Sequence, residues 1–338
     1  MIDLPELIVL DVGHGNCAIL RDTKTVTVID CPSLPRTLLE ALEILDIHTV
    51  DQVLISHADL DHAGGLVSLL DVVTVRNVYI NPDADKKSKS WNTLCLALDL
   101  AVEKGTEVHV GLTSSLSGRI ISGRVEIEIL APSIEIALHG AGGEDSEARR
   151  LSSNSMSVVI GLLHDSHRVA LLPGDLDDVG LDNLLKKRKN IEAQILVFPH
   201  HGGSPGNSNG LEFAQRLCEL VKPRLVIFSF DRDQFDNPKE DVIRGVLSTV
   251  PEAHIICTQL SRKCAIELPN AYFDHLTSLP AKGRMGGKCC GGTISIKIDG
   301  NQTTYAPLLT LHRDFVSNKI HVSEPMCLQH LIKMKSEV

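Results

Sequence analysis

The sequence predicts an α/β protein with mixed sheets flanked by helices, and three observations carry that expectation. Short apolar runs rich in Val and Ile recur along the chain and are bounded by Gly, Asp or Pro, as strands buried on both faces are. Amphipathic stretches of helical length lie between them. Two further runs alternate apolar with polar residues, as half-exposed strands do. In chain order, the apolar runs are Leu7 to Leu10, Val26 to Ile29, Val53 to Ile55, Val158 to Leu163, Val169 to Leu172, Ile195 to Phe198 and Leu225 to Phe228. The helical stretches are Thr37 to Leu45, Trp91 to Lys104 closed by Gly105, Leu181 to Lys189, Leu211 to Leu220 and Lys239 to Val250. The alternating runs are Val125 to Ile129 and Ile294 to Ile298. The segment His139 to Arg150, with three glycines and several charges, reads as a loop joining two halves, and Asp83 to Ser90 as a shorter polar loop.

Bulk properties narrow the function classes. A chain of 338 residues can bury one large core or two smaller ones. No apolar run approaches the roughly 20 residues of a membrane-spanning helix, so no membrane contact is expected. Met1 to Leu10 lacks a basic region and carries Asp3, Pro5 and Glu6, which suits a first strand better than a secretory signal. Nine cysteines, scattered and odd in number, are not a disulfide framework, so a reducing, cytoplasmic setting is expected. A net charge of -10 repels polyanions, and aromatics at 3% leave little for a base-stacking platform. Both argue against a long nucleic-acid groove. Neither excludes phosphate chemistry at a metal.

The chemistry concentrates in Ser56-His57-Ala58-Asp59-Leu60-Asp61-His62-Ala63-Gly64-Gly65, which follows one buried run and leads into a helical stretch. Four possible ligands fall within six positions, and imidazole with carboxylate suits Zn²⁺, Mn²⁺ or Fe²⁺. Ligand types also follow other buried runs directly: Asp30 after Val26 to Ile29, Asp175 after Val169 to Leu172, and His200-His201 after Ile195 to Phe198. In open α/β sheets, ligands gather at the carboxyl ends of strands.

With these stretches the chain resembles the metallo-β-lactamase superfamily, whose signature is His-x-His-x-Asp-His followed later by Gly-Asp and a further His. More narrowly it is similar to the metallo-hydrolase domain of ComEC-type competence DNA-uptake proteins, in which the second His of the signature is also Asp. The matching stretches are Leu10 to Asn16, Val28 to Asp30, His57 to Gly65, Asn154 to Val159, Leu172 to Leu176, Phe198 to Gly203 and Val221 to Phe228. The resemblance implies an αββα sandwich over residues 1–260, with 261–338 as a C-terminal extension. It implies two divalent ions, zinc or manganese with magnesium also admissible. His57 and Asp59 would hold one, and Asp61, His62 and His200 the other. Asp175 would bridge them, and a hydroxide shared by the pair would be the nucleophile. Asp30 would accept a hydrogen bond from a ligand imidazole.

Departures from the family pattern matter. Where the first site usually takes a third His, this chain has Asn154 and neighbouring hydroxyls. With Asp59 in place of an imidazole as well, that site is harder and poorer in nitrogen, which moves preference toward Mn²⁺ or Mg²⁺. A Gly-His-Pro of the competence-type domains reads Asp236-Asn237-Pro238 here, so another imidazole is missing. His14, in Gly13-His14-Gly15-Asn16, could supply it, and a histidine bonded to loop backbone is the bland alternative. His200 and His201 are adjacent, so alternation along an extended chain points only one at the metals. His200 is favoured as the ligand and His201 as a catalytic or substrate contact. Gly202-Gly203-Ser204 and Asn237 are candidate substrate contacts.

Cys257, Cys264, Cys289 and Cys290 could make a structural zinc site that pins the extension, although the spacing lacks a Cys-x2-Cys knuckle. The foremost expectation for function is a phosphodiesterase or nuclease acting on nucleic acid or a nucleotide. The alternatives are an ester, lactone or thioester hydrolase, and a conditionally active or non-catalytic subunit that works with a protein partner.

Overall fold

The computed structural model describes residues 4–81, 83, 88–187, 190–206, 208–269, 274–299, 302–304, 306–320 and 325–328. The chain opens with β1 (Glu6–Val9), β2 (Ala18–Arg21), β3 (Val26–Ile29), α1 (Arg36–Ile44) and β4 (Thr49–Ile55). There follow α2 (Leu60–Ala63), α3 (Leu66–Val72), β5 (Thr74–Ile80), α4 (Lys89–Glu103) and β6 (Glu107–Val110). The second sheet is built from β7 (Ile120–Ser122), β8 (Val125–Ala131), β9 (Val159–His164), β10 (His167–Leu172), β11 (Ile195–Val197), β12 (Leu225–Phe228) and β13 (His254–Cys257). Helix α5 (Ile134–His139) follows β8, α6 (Asp178–Lys187) follows β10, α7 (Gly210–Val221) follows β11 and α8 (Glu240–Thr249) follows β12. β14 (Ile294–Asp299), β15 (Gln302–Thr304) and α9 (Ala306–Asn318) complete the elements used below.

Eight strands in the order β15-β14-β1-β2-β3-β4-β5-β6 form one sheet, and seven in the order β13-β12-β11-β10-β9-β8-β7 form the other. Each begins as an antiparallel meander and becomes parallel, at the β3–β4 pair in the first and the β10–β11 pair in the second. Mixed sheets are thus what the sequence leads one to expect. Alternation along the strands makes the layers. Leu7, Val9, Ile29 and Leu54 face the inter-sheet core with Ile127, Val158, Ile160 and Ile195. Ile8, Val28, Val53 and Ile55, on the opposite face, pack under Leu38 and Leu42 of α1, Leu69 of α3 and Leu98 of α4. The outer face of the second sheet packs on α6, α7 and α8 through Leu181, Leu217 and Val246. The result is an αββα sandwich.

Two expectations about organisation change. The segment His139 to Arg150 does not join the halves: the chain crosses between sheets from Val110 to Ile120, and residues 139–150 lie inside the second half between β8 and β9. Nor is the stretch after residue 260 an appendage to a finished core. β14 hydrogen-bonds to β1 in register Glu6↔Lys297 to Val9↔Ile294, and Ile294, Ile296 and Ile298 are fully buried between the sheets. Lys189 of the expected third helix and residues 84–87 of the expected loop from Asp83 to Ser90 lie outside the described residues. Among the described residues no helix is long and apolar enough to cross a membrane.

Candidate metal centre

Four strands deliver the site. β3 and β4 of the first sheet and β10 and β11 of the second end at one edge of the sandwich, and the turns beyond them carry Asp30, residues 56–62, Asp175 and His200-His201. The turn after β4 is tied from three sides. Asp30 accepts from Ser56 N (2.7 Å) and Ser56 Oγ (2.8 Å), the Asn81 amide donates to Ser56 O and Met156 O, and Ala58 N donates to Asp83. Gly174 precedes Asp175 with φ +56°, and a Cβ there would collide with Ser157 and Ser56. Asp175 therefore sits hard against the motif loop.

The ligand atoms of Asp61, His62, Asp175 and His201 lie within 4.8 Å of one another, the one such group of three or more among the described residues. His62 Nδ1 donates to Asp30 Oδ2 at 2.7 Å, so that in the neutral ring the lone pair is on Nε2. His201 Nδ1 donates to Ser229 O at 2.9 Å, so its Nε2 also faces the group, 3.3 Å from Asp61 Oδ2 and 3.6 Å from Asp175 Oδ1. His62 Nε2 is 3.2 Å from Asp175 Oδ1, yet both atoms are buried without a properly aligned hydrogen-bond partner. Buried polar atoms are rarely left so. A divalent cation would satisfy both, so the residues present fit a metal.

Electrostatics points the same way. Burial opposes charge on His62, but Asp175 and Asp30 outweigh it and hold the imidazole well above its ordinary pKa. Burial likewise opposes the charge on Asp175, yet His201 and His62 hold its carboxyl well below the usual range. The site is built to take positive charge. His57 is the exception: burial, reinforced by His62, pushes its imidazole down to about 4, which keeps it neutral with a free lone pair. Its Nε2 is also buried without a hydrogen-bond partner, 3.6 Å from Asp59 Oδ2.

Most expected residues are thus brought together, with two revisions. His201, and not the favoured His200, completes the Asp61 group. Alternation fails as a guide because both histidines adopt left-handed backbone (φ 53° and 56°) in a turn spanning Pro199 to Gly202, not an extended strand. His200 stays close, with Nδ1 3.1 Å from Asp175 Oδ2 and 3.3 Å from the Asn154 amide nitrogen. The cysteine tetrad does not converge. Cys289 turns toward Asp11 (3.6 Å), whereas Cys290 turns the other way to His312 Nε2 (3.1 Å).

His14 does join the site: Nε2 is 3.2 Å from Asp61 Oδ2, and its ring packs on His201 and Phe235. Ser204 is exposed, and Asn237 is buried with its amide beside Gly203. Sequence reasoning missed Asn81, Asp83 and Ser229, which hold the ligands' backbone and tautomer. Asn81 and Asp83 follow β5 and Ser229 follows β12, so the rule that ligands gather at strand ends could have found them.

Residues 10–145 match the family model described as the metallo-beta-lactamase superfamily. That stretch is similar to the metallo-beta-lactamase superfamily. The superfamily match includes His14, Asp30 and the 57–62 motif; geometry adds Asp175 and His201 beyond it. ComE operon protein 3 of Bacillus subtilis (strain 168) is 23% identical over 211 residues, which is 62% of this chain and 24% of that protein. The chain thus matches about a quarter of that relative's length. Among solved structures, Igni18, a metallo hydrolase from Ignicoccus hospitalis, is 14% identical with a TM-score of 0.43, covering 87% of this chain and all of that one. The metallo-beta-lactamase fold protein YhfI from Bacillus subtilis is 13% identical with a TM-score of 0.48, covering 75% of this chain and 96% of that one.

Proposed function

We propose that the protein is a metal-dependent phosphodiesterase, acting on a nucleotide or a short nucleic acid. The observation that carries this reading is the Asp61-His62-Asp175-His201 group with its buried, unpartnered Nε2 and Oδ1 atoms. Those four residues would hold one divalent ion, and His57 and Asp59 belong to a neighbouring site. Bound there, such ions supply Lewis acidity and a water acidified toward neutral pH, the chemistry used on phosphate esters. Three carboxylates among the ligands favour a hard ion such as Mn²⁺, which pairs with phosphate oxygen. Resemblance to the competence-type domain supports a nucleic-acid substrate, and the net charge of -10 favours a short one.

The chain's own residues have separable tasks. Asp30 orients His62, and Ser229 orients His201. His14, against Asp61 and His201, and Asn237, beside Gly203, are the residues proposed to contact substrate. Protein loaded with Mn²⁺ should cleave bis-p-nitrophenyl phosphate and short single-stranded DNA, and Asp61→Ala should lose at least about a hundredfold in rate, the scale of removing a metal-derived nucleophile. Turnover of acyl esters alone, or equal rates in wild type and Asp61→Ala, would sink the phosphodiesterase reading.

A further inference from the structure

Among the described residues, Phe198, Phe213, Phe228, Phe230 and Phe315 are buried, whereas Phe235, in the loop between β12 and α8, is 65% exposed. Its ring lies against the candidate metal centre. The ring centroid is 4.7 Å from that of His14, whose own ring packs on His201 at 4.8 Å and whose Nε2 is 3.2 Å from Asp61 Oδ2. We infer that Phe235 is a specificity residue, a platform on which a nucleobase stacks when the phosphate attached to it is at the candidate metal centre. This rests on the phosphodiesterase reading above and narrows its substrate to one that carries a base close to the phosphate.

A lone exposed apolar side chain needs no explanation by itself. Here the backbone asks for one. Phe235 and Asp236 adopt consecutive left-handed conformations (φ 58° and 51°), an outlier for a bulky side chain. Backbone of this kind persists where surrounding contacts over-determine it, and it clusters at functional sites. Those contacts are present. Lys239 Nζ donates to Phe235 O (2.8 Å) and Lys263 Nζ to Asp236 O (3.3 Å). The guanidinium of buried Arg232 donates to the carbonyls of Leu260 and Ala265 (2.6 Å each). The loop is thus fixed with its ring exposed at the rim of the centre, so a partner is received at little ordering cost.

The surroundings select the partner. Asp233, Gln234 and Asp236 are exposed and polar, so the ring's sequence neighbours offer no apolar surface to an acyl chain. The Lys239 ammonium, bonded to the ring's own residue, sets like charge against an organic cation over its face. A nucleobase is flat and uncharged, and every base has a π face to stack on an aromatic ring. One ring serves one base, which agrees with an acidic chain poor in aromatics and with a short substrate.

The test reads binding and not turnover. Mn²⁺-loaded protein is titrated calorimetrically with 2′-deoxyadenosine 5′-monophosphate, a monoester that a phosphodiesterase releases and does not cleave, and with 2-deoxyribose 5-phosphate, which lacks the base. Wild type should bind the nucleotide about 5- to 100-fold more tightly, the range for one base stacked on an aromatic side chain. Phe235→Trp should keep that preference. Phe235→Leu, apolar but without a π face, should reduce it to within about twofold while binding of the sugar phosphate stays the same. Equal affinity for the two compounds in wild type, or an undiminished preference in Phe235→Leu, overturns the stacking role and leaves the phosphodiesterase reading standing. If wild type binds neither compound, that reading fails and the stacking role fails with it.

Discussion

Asp30 shows how much a single residue can decide. It is buried, has φ +62°, and its two oxygens accept from Ser56 N, Ser56 Oγ and His62 Nδ1. One carboxylate therefore sets both the start of the ligand loop and the tautomer of a ligand. Partners of this kind are generally worth 10–100-fold in metal affinity. Asp30→Ala should weaken Co²⁺ binding by about that factor in isothermal titration, while far-UV circular dichroism shows a retained fold; unchanged affinity would count against the role. At this scale the sequence was highly legible where a ligand type directly follows an apolar run, as for Asp30, His57, Asp61, His62 and Asp175. It was misleading at His200 and His201, because which way two adjacent side chains point depends on backbone dihedrals. Nothing in Pro199-His200-His201-Gly202 announces two consecutive left-handed residues. The cysteines misled for a related reason: proximity in sequence put Cys289 and Cys290 together, and their side chains diverge.

Elements are joined by contacts that sequence patterns do not reveal. Asp22, just past β2 in the first sheet, accepts from Arg124 N and from the Arg124 guanidinium (2.7 Å each) in the β7–β8 turn of the second. Those hydrogen bonds hold the Asp22 carboxyl down at about 2. Since the ordinary value is 3.8, the stabilisation is complete above pH 3.8 and is lost as pH falls through about 2. Its size is about 1–2 kcal/mol once the half-exposed guanidinium is discounted for solvent. Urea midpoints of wild type and Asp22→Asn should differ at pH 7 and converge below pH 2.5; a constant difference would refute the linkage. Long apolar or amphipathic stretches were read correctly as β1, β3, β9, β12, α1, α4, α7 and α8. The missed strands have physical reasons. β2 and β13 hold only two large aliphatic residues each, and β5, Thr-Val-Arg-Asn-Val-Tyr-Ile, breaks the alternation with Arg76 and Asn77. The joint between halves was misplaced because glycine content marks flexible turns, not changes of sheet.

For the whole molecule, the decisive fact is that the first sheet contains strands from both ends of the described chain. Burying Ile294, Ile296 and Ile298 is worth roughly 1.5–3 kcal/mol each, comparable in sum with the net stability of a typical domain. A chain cut after residue 260 should show no cooperative thermal transition by circular dichroism, and a truncated chain that melts like the full one would refute the single-core description. Around the same seam, Asp11 accepts from Gln259 Nε2 and Gly283 N, and its own N donates to Thr293 Oγ1. These bonds lie behind Gly13 and His14, at the rim of the metal centre. During synthesis the ligands from His14 to His201 emerge from the ribosome long before residues 283–296 do. The nascent chain thus holds all the candidate ligands while one edge of its first sheet still lacks a partner strand. On the proposed metal-binding reading, a prematurely ended translation product would carry the candidate ligands while β1 lacks its partner strand β14.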